Sequence, residues 1–138
     1  MQTTTMRSLG KVLVLAALLG GSAGTALAGD VYVICNSGVS LQAADARDVF
    51  IGEKGFAGSV KLVPVDNSAL QADFLAKVLK IDAAKYAGIW TKKSFRDGAN
   101  PPAVKGSDGE VLALVKSTAG ACSYVSSSPA GVTVVGKF

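Results

Sequence analysis

The segment from Val31 to Cys35 constrains the fold more than any other part of the chain. All five residues are β-branched, aromatic or otherwise apolar, without polar alternation, and such a run is typical of a strand buried on both faces of a sheet. Three further strands are predicted over residues 60–65, 122–125 and 131–135. Because helical segments separate most of these strands, we expect an α/β domain with a small, mostly parallel sheet of about four strands flanked by helices.

Capping residues indicate where the predicted helices begin. Two capping-box sequences occur, in which a serine is followed three residues later by a glutamine or glutamate. Ser40 is the predicted cap of a helix over 41–51, and Ser68, with Gln71, is that of a helix carrying Leu70, Phe74, Val78 and Ile81. Asp82 precedes a helix carrying Tyr86 and Trp90, and Ser107, with Glu110, begins the last predicted helix. Residues 94–105, with a Pro-Pro pair, are expected to be irregular.

The first 28 residues have the composition of a removable signal peptide. Arg7 and Lys11 precede a short apolar run, and small residues lead to Ala28. We therefore expect export to the periplasm, a single domain over residues 29–138, and no membrane span after cleavage. Removing the two basic residues leaves 12 Lys and Arg against 10 Asp and Glu, a net charge of about +2. Since the basic residues are also scattered, they favour a solvated surface and argue against nucleic-acid binding.

The two cysteines, Cys35 and Cys122, both lie in the part expected to be exported. An oxidising compartment favours a disulfide between them, and two buried free thiols are the alternative. The first strand of such a sheet is usually central and could neighbour the strand over 122–125. That arrangement would bring the two sulfurs within bridging distance if the strand register agrees.

The composition argues against catalysis. The chain contains no histidine, so neither a Ser-His-Asp nor a Cys-His arrangement can form, and the usual zinc ligand set cannot assemble. A glycine-rich, lysine-containing phosphate loop is also absent from the sequence. We expect a non-enzymatic protein that uses neither a cofactor nor a metal.

Four segments resemble periplasmic phosphate-binding proteins of ABC importers. Ser40-Leu41 followed by Asp45 to Gly52 is similar to the family's "S-L-x-x-x-E-[VL]-R-D-[IL]-F-L-G" segment. The other three, in the family's order and spacing, are Val63-Pro64-Val65-Asp66 through Val78-Leu79, Tyr86 through Pro101-Pro102, and Glu110-Val111 through Tyr124-Val125. Complete members have two lobes, whereas this chain is long enough for about one. It is therefore similar to the small single-lobe relatives with a type 2 binding-protein domain, and the resemblance implies a lobe of that fold that binds phosphate or a related oxyanion.

An oxyanion site needs converging N–H and hydroxyl donors, which helix N-termini supply. The candidate ligand-binding residues, at three predicted helix starts and in the loop before the Pro-Pro pair, are Ser37, Gly38, Ser40, Asn67, Ser68, Arg96 and Ser107. By the resemblance, Ser68 stands where larger relatives carry a Ser-Gly-Thr anion-binding turn, and Gln71 stands where small relatives often carry Arg. The competing interpretation is that each serine only caps its helix and that Arg96 is a solvated surface residue.

Two functions from different classes remain. The first is a periplasmic substrate-binding-protein-like module for inorganic phosphate or a similar oxyanion, with an ABC permease as a candidate partner. The second is a non-transport interaction or scaffold protein that retains the single lobe and binds another envelope protein. A homodimer that rebuilds a two-sided cleft would reconcile them. Tyr86, Trp90 and Phe95 could line a small-molecule cleft, although their helical spacing favours a place in the core.

Overall fold

The computed structural model describes residues 29–138, and the predicted signal peptide, residues 1–28, lies outside the described residues. The described chain is an α/β domain with a mixed five-stranded sheet and a separate two-stranded hairpin. The strands are β1 (Tyr32–Cys35), β2 (Phe56–Ala57), β3 (Val60–Lys61), β4 (Val63–Asn67), β5 (Ala103–Lys105), β6 (Ala121–Val125) and β7 (Thr133–Lys137). The helices are α1 (Ala46–Phe50), α2 (Gln71–Phe74), α3 (Ala83–Asp97) and α4 (Asp108–Ser117). Of the helices within residues 29–138, none has the length and apolarity needed to cross a bilayer.

The prediction of a mostly parallel sheet is wrong. The strand order is β5-β4-β6-β1-β7, in which β4 runs parallel to both β5 and β6 whereas β1 runs antiparallel to both β6 and β7. The reason lies in the connection after β1. Helix α1 has five residues instead of the predicted eleven, so it is only about 8 Å long and the chain enters β4 at the end of the sheet where β1 finished. Parallel strands would have required these 27 connecting residues to cross back to the other end of the sheet, and they do not.

Strand β1 is buried on both faces, as its apolar run predicts. On one face Ile34 packs with Ala121 and Val125 against α4, through Val111 and Val115. On the other face, the larger core contains residues of β1 and β6 with the side chains of α1, α2 and α3. Its centre is aromatic, and the ring centroids there are separated by 4.7 Å for Phe50–Phe74, 5.7 Å for Phe50–Tyr124 and 3.8 Å for the stacked pair Phe74–Tyr124.

The predicted proximity of the two cysteines is confirmed. Cys35 of β1 stands directly opposite Cys122 of β6, and their sulfurs form a disulfide that closes a loop with a sequence separation of 87. Both residues are buried. The neighbouring strands were expected, but their antiparallel direction was not.

Two of the four predicted helix caps are present. Asp82 accepts a hydrogen bond from the Lys85 N–H at 2.7 Å, and Ser107 accepts one from the Glu110 N–H at 3.3 Å. Ser40 lies ahead of a short 3₁₀ turn (Ala43–Asp45) that leads into α1, and Gln42 is the residue that precedes that turn. Ser68 does not cap α2 either, because α2 begins at Gln71, directly before a π-helical turn (Leu75–Leu79).

The segment expected to be irregular contains two regular pieces. Helix α3 continues through Asp97 and ends at Gly98, whose φ of 69° is left-handed. After the Pro-Pro pair the chain forms β5, which pairs with β4. Arg96 therefore lies in the last turn of a helix and not in a loop.

Candidate functional site

The residues predicted to bind an oxyanion lie at opposite ends of the sheet. Ser37, Gly38 and Ser40 follow the carboxyl end of β1, whereas Asn67 is the last residue of β4 and Ser68 follows it. These two strands run in opposite directions on either side of β6, so the two groups are separated by the length of the sheet. Ser107, at the start of α4, joins the second group, in which the Ser68 N–H donates to the Lys105 carbonyl at 2.9 Å.

The turn after β1 uses its donors internally. The Asn36 side chain accepts a hydrogen bond from the Gly38 N–H at 3.1 Å, and the Asn36 carbonyl accepts one from Val39 at 2.9 Å. The Asn36 amide in turn donates to the Val115 carbonyl at 2.9 Å. The turn therefore lies against the C-terminal carbonyls of α4, whose partial negative charge disfavours an anion.

Asn67 organises the opposite end. It is fully buried, and its amide nitrogen donates to Asp108 Oδ1 at 2.7 Å and to the Tyr124 carbonyl at 3.0 Å. Its Oδ1 accepts from the Ala69 N–H at 3.2 Å. Both ends of the side chain are occupied, so Asn67 connects β4 to β6 and α4.

The N-terminus of α4 already holds carboxylates of its own chain. Asp108 accepts hydrogen bonds from the N–H and the hydroxyl of Ser126, and Glu110 accepts one from the Gly106 N–H at 3.0 Å. Partial burial alone would raise the pKa of Asp108, but the hydrogen bonds from Ser126 and Asn67 outweigh it and hold the pKa below its usual value. A second anion at this helix end would meet two negative charges.

Arg96 is also engaged. Its guanidinium makes a bidentate contact with the neighbouring Asp97 carboxylate, with Nε–Oδ1 3.1 Å and Nη2–Oδ2 2.9 Å. That hydrogen bonding lowers the pKa of Asp97. Both side chains are largely exposed, so the contact is a solvated local pair.

The structure brings together a different set of cations, in what we call the lysine cleft. This cleft has a volume of about 490 Å³ and lies between the segments around residues 52–55 and 61–64 and the end of α3. Its charged lining residues are Lys54, Lys61, Lys93 and Asp97. The Lys93 side chain is only 9% exposed, and its ammonium lies 3.5 Å from the Glu53 carboxylate, which is 62% exposed.

Gly52 fixes the close packing at the floor of the lysine cleft. Its φ of 77° is left-handed, and a Cβ at this position would lie 2.9 Å from Trp90 and 3.0 Å from the Lys93 side chain. This glycine, directly after the predicted helix over 41–51, therefore allows the stem of Lys93 and the Trp90 ring to pack beside the end of α1. Sequence reasoning missed this cleft because lysines 32 and 39 residues before Lys93 give no local pattern.

A second cleft, of about 380 Å³, lies on the other side of Trp90, and we call it the Asp66 cleft. Asp66, only 2% exposed, accepts hydrogen bonds from the Tyr86 hydroxyl at 2.9 Å and the Tyr124 hydroxyl at 2.8 Å. Burial raises the pKa of Asp66, against the lowering effect of hydrogen bonds from Tyr124, Tyr86 and Gln71. Burial and the Asp66 charge raise the pKa of both phenols, so both remain donors.

Comparisons with known proteins give no family assignment. Neither a scan against models of protein families nor a search of the curated proteins finds a match for this chain. Within residues 29–138 there is also no group of three or more His, Cys, Asp or Glu side chains suited to a metal ion. The chemistry of the two clefts is therefore the basis for a functional hypothesis.

Proposed function

We propose that this protein is a periplasmic, non-enzymatic binding module whose domain resembles one lobe of a type 2 periplasmic binding protein. In this proposal the lysine cleft binds a small oxyanion, with phosphate as the first candidate. One observation carries the proposal: three lysines line one open cleft, and the side chain of Lys93 is nearly buried there. The intramolecular disulfide is compatible with the oxidising periplasm.

The charge balance of the cleft supports an anionic ligand. The lining carries three lysines against one acid, Asp97, whose carboxylate is paired with Arg96. A nearly buried lysine side chain favours a nearby negative charge, and the ion pair described for Lys93 is with the exposed carboxylate of Glu53. Lys54 makes a longer contact of 3.9 Å with Asp45. A phosphate could replace the Glu53 carboxylate at Lys93 and accept charge-assisted hydrogen bonds from the other ammonium groups.

The proposal moves the oxyanion away from the helix N-termini expected from the sequence. At the start of α4, the carboxylates of Asp108 and Glu110 already lie at the helix end and accept hydrogen bonds from Ser126 and Gly106. At the lysine cleft the side chains supply the positive charge instead. Because the cleft is open to water, its charges are screened, and we expect weak binding that declines as salt is raised.

The titration of oxidised protein with phosphate and with sulfate tests this proposal, by calorimetry and by the fluorescence of Trp90, the single tryptophan. Lys93→Gln should weaken phosphate binding roughly tenfold, the loss expected for removing one partly desolvated charge. Lys61→Gln, at an exposed position in the same cleft, should also weaken binding and carries little risk to folding. Lys85→Gln makes the same charge change on the same helix outside the cleft and should leave binding unchanged.

A loss of binding in Ser68→Ala, with binding retained in Lys93→Gln, would contradict the lysine cleft and return the anion to the helix start. Heat equal to dilution for both anions would reject oxyanion binding altogether. The second function, an interaction or scaffold protein, would then be favoured, since the carboxylates of Asp108 and Glu110 already occupy the N-terminal end of α4. Light scattering should accompany the titration, because a homodimer or an envelope partner could cover the open side of the cleft.

A further inference from the structure

The Asp66 cleft has a chemistry that the proposed oxyanion site does not use. Among the described residues that line it, Asp66 is the only one that carries a charge. Its carboxylate is held at the end of β4 by hydroxyls from two other elements, Tyr86 of α3 and Tyr124 of β6. The hydrogen-bond donors that reach it, these two phenols and the Gln71 amide, are all neutral.

A buried carboxylate surrounded by neutral donors reduces stability relative to an apolar side chain of similar size. The Asp66 carboxylate is not the only polar attachment of α3, because the Trp90 indole N–H already connects α3 to the Phe50 carbonyl of α1 at 3.1 Å. Attaching α3 also does not require a cleft of about 380 Å³ beside the same carboxylate. A negative charge with no cation beside it, at the floor of a cleft, instead favours a positively charged occupant.

The walls of the cleft narrow the class of ligand. Tyr86 and Trp90 contribute aromatic surface, and Pro101, Pro102 and Val104 contribute apolar surface. Aromatic rings and a carboxylate together attract organic cations. A carboxylate has about four lone-pair positions, so after the three neutral donors one position remains for a further N–H.

We propose that the Asp66 cleft binds the primary ammonium group of a small organic amine, with the ammonium at the Asp66 carboxylate and the alkyl chain against Trp90 and the prolines. A primary ammonium can donate a hydrogen bond to the carboxylate, which a quaternary ammonium cannot. Its compact head also suits a carboxylate of which little is exposed. This site is separate from the lysine cleft and of opposite charge preference, so either can fail without the other.

The experiment compares butylammonium, its neutral isostere butanol and tetramethylammonium, titrated into the oxidised full-chain protein with Trp90 fluorescence and calorimetry as readouts. Butylammonium should bind in the millimolar range or tighter, and both other compounds at least roughly tenfold more weakly, because one lacks the charge and the other lacks the N–H. Asp66→Asn should weaken butylammonium binding by a similar factor. Lys93→Gln, in the other cleft, should leave it unchanged.

Because Asp66→Asn alters a buried hydrogen-bonded group, a second variant keeps the test independent of folding. Val104 is 58% exposed and lines the same cleft, so Val104→Lys introduces a competing cation without disturbing the core. It should also weaken butylammonium binding. Equal binding of butanol and butylammonium, undiminished binding in both variants, or no binding of butylammonium at millimolar concentrations would each overturn the proposal.

Discussion

The disulfide between Cys35 and Cys122 should supply a large part of the stability of the domain. It closes a loop with a sequence separation of 87, and the loss of chain entropy in the unfolded state on closing a loop of that length corresponds to about 4.6 kcal/mol at 25 °C. Structure remaining in the reduced unfolded chain lowers this figure, so we expect a loss of roughly 3 to 5 kcal/mol on breaking the bond. Since domains of this size are stable by about 5 to 15 kcal/mol, reduction should remove roughly a fifth or more of the total.

Urea unfolding, followed by the fluorescence of the buried Trp90, measures this loss in three samples. Oxidised and reduced wild-type protein differ only by the covalent bond, so their difference isolates the cross-link. The double variant Cys35→Ala/Cys122→Ala also removes two buried sulfur atoms and should lose about 1 to 2 kcal/mol more through lost packing. Oxidised and reduced proteins that unfold with a difference below about 1 kcal/mol would refute the reasoning.

Three further predictions concern stability. Gly120→Ala should cost at least about 2 kcal/mol in urea unfolding, because φ is 80° and the added Cβ would clash with the Lys61 carbonyl oxygen. Gly88→Ala, with nothing within 4 Å in the interior of α3, should instead gain about 0.5 to 1 kcal/mol, and equal effects of the two substitutions would contradict both expectations. Burial raises the pKa of Asp66 above 3.8, so the native state binds the proton of this carboxyl group more tightly than the unfolded state does. The stability of wild type should therefore fall relative to Asp66→Asn as pH rises through the folded pKa. A difference between the two proteins' thermal unfolding curves that stays constant from pH 4 to 7 would be inconsistent with this. Asp108 has a lowered pKa, so its contribution should have the opposite sign: relative to Asp108→Asn, wild type should lose stability as pH falls below 3.8, and a constant gap would reject it.

The parts of the fold that the sequence predicted well depend on local patterns. The apolar run ending at Cys35 requires cover on both faces wherever the strand lies, and it is so covered. The capping box from Ser107 to Glu110 is local too, and Ser107 does cap α4. In contrast, the direction of β1 relative to β4 depends on the end of the sheet at which the chain enters β4. The path of all 27 intervening residues determines that end.

Ser68 shows how a tertiary contact overrides a local pattern. The sequence favours Ser68 as a cap, but Asn67 is fixed by Asp108 and Tyr124, which lie 41 and 57 residues away. Its side-chain oxygen then accepts the Ala69 N–H, and the helix begins later. Strand β5 was missed for another reason, since three residues after a proline pair are too few to show a period.

The candidate sites were hidden because their residues are distant in sequence. One signal could have indicated the Asp66 cleft: a charged residue placed directly after the predicted strand over 60–65, at the carboxyl end of a strand in an α/β sheet, where ligands commonly bind. The predicted strand ends one residue before Asp66, whereas Asp66 belongs to β4 and is buried. For the lysine cleft no such signal exists, because lysine spacing alone does not distinguish a cleft from a solvated surface.

The two binding proposals share one fluorescent reporter, Trp90, but their opposite charge requirements make them separable in a single protein. Its side chain lines both clefts, so either ligand should change its fluorescence, and the signal by itself does not identify the site. The charge requirement does, because phosphate and butylammonium should respond to opposite substitutions, Lys93→Gln and Asp66→Asn. If both ligands lost affinity equally in both variants, the variants would have perturbed Trp90 or the fold, and neither cleft would be supported. If each ligand responded only to its own substitution, two sites of opposite charge preference would have to coexist around one tryptophan.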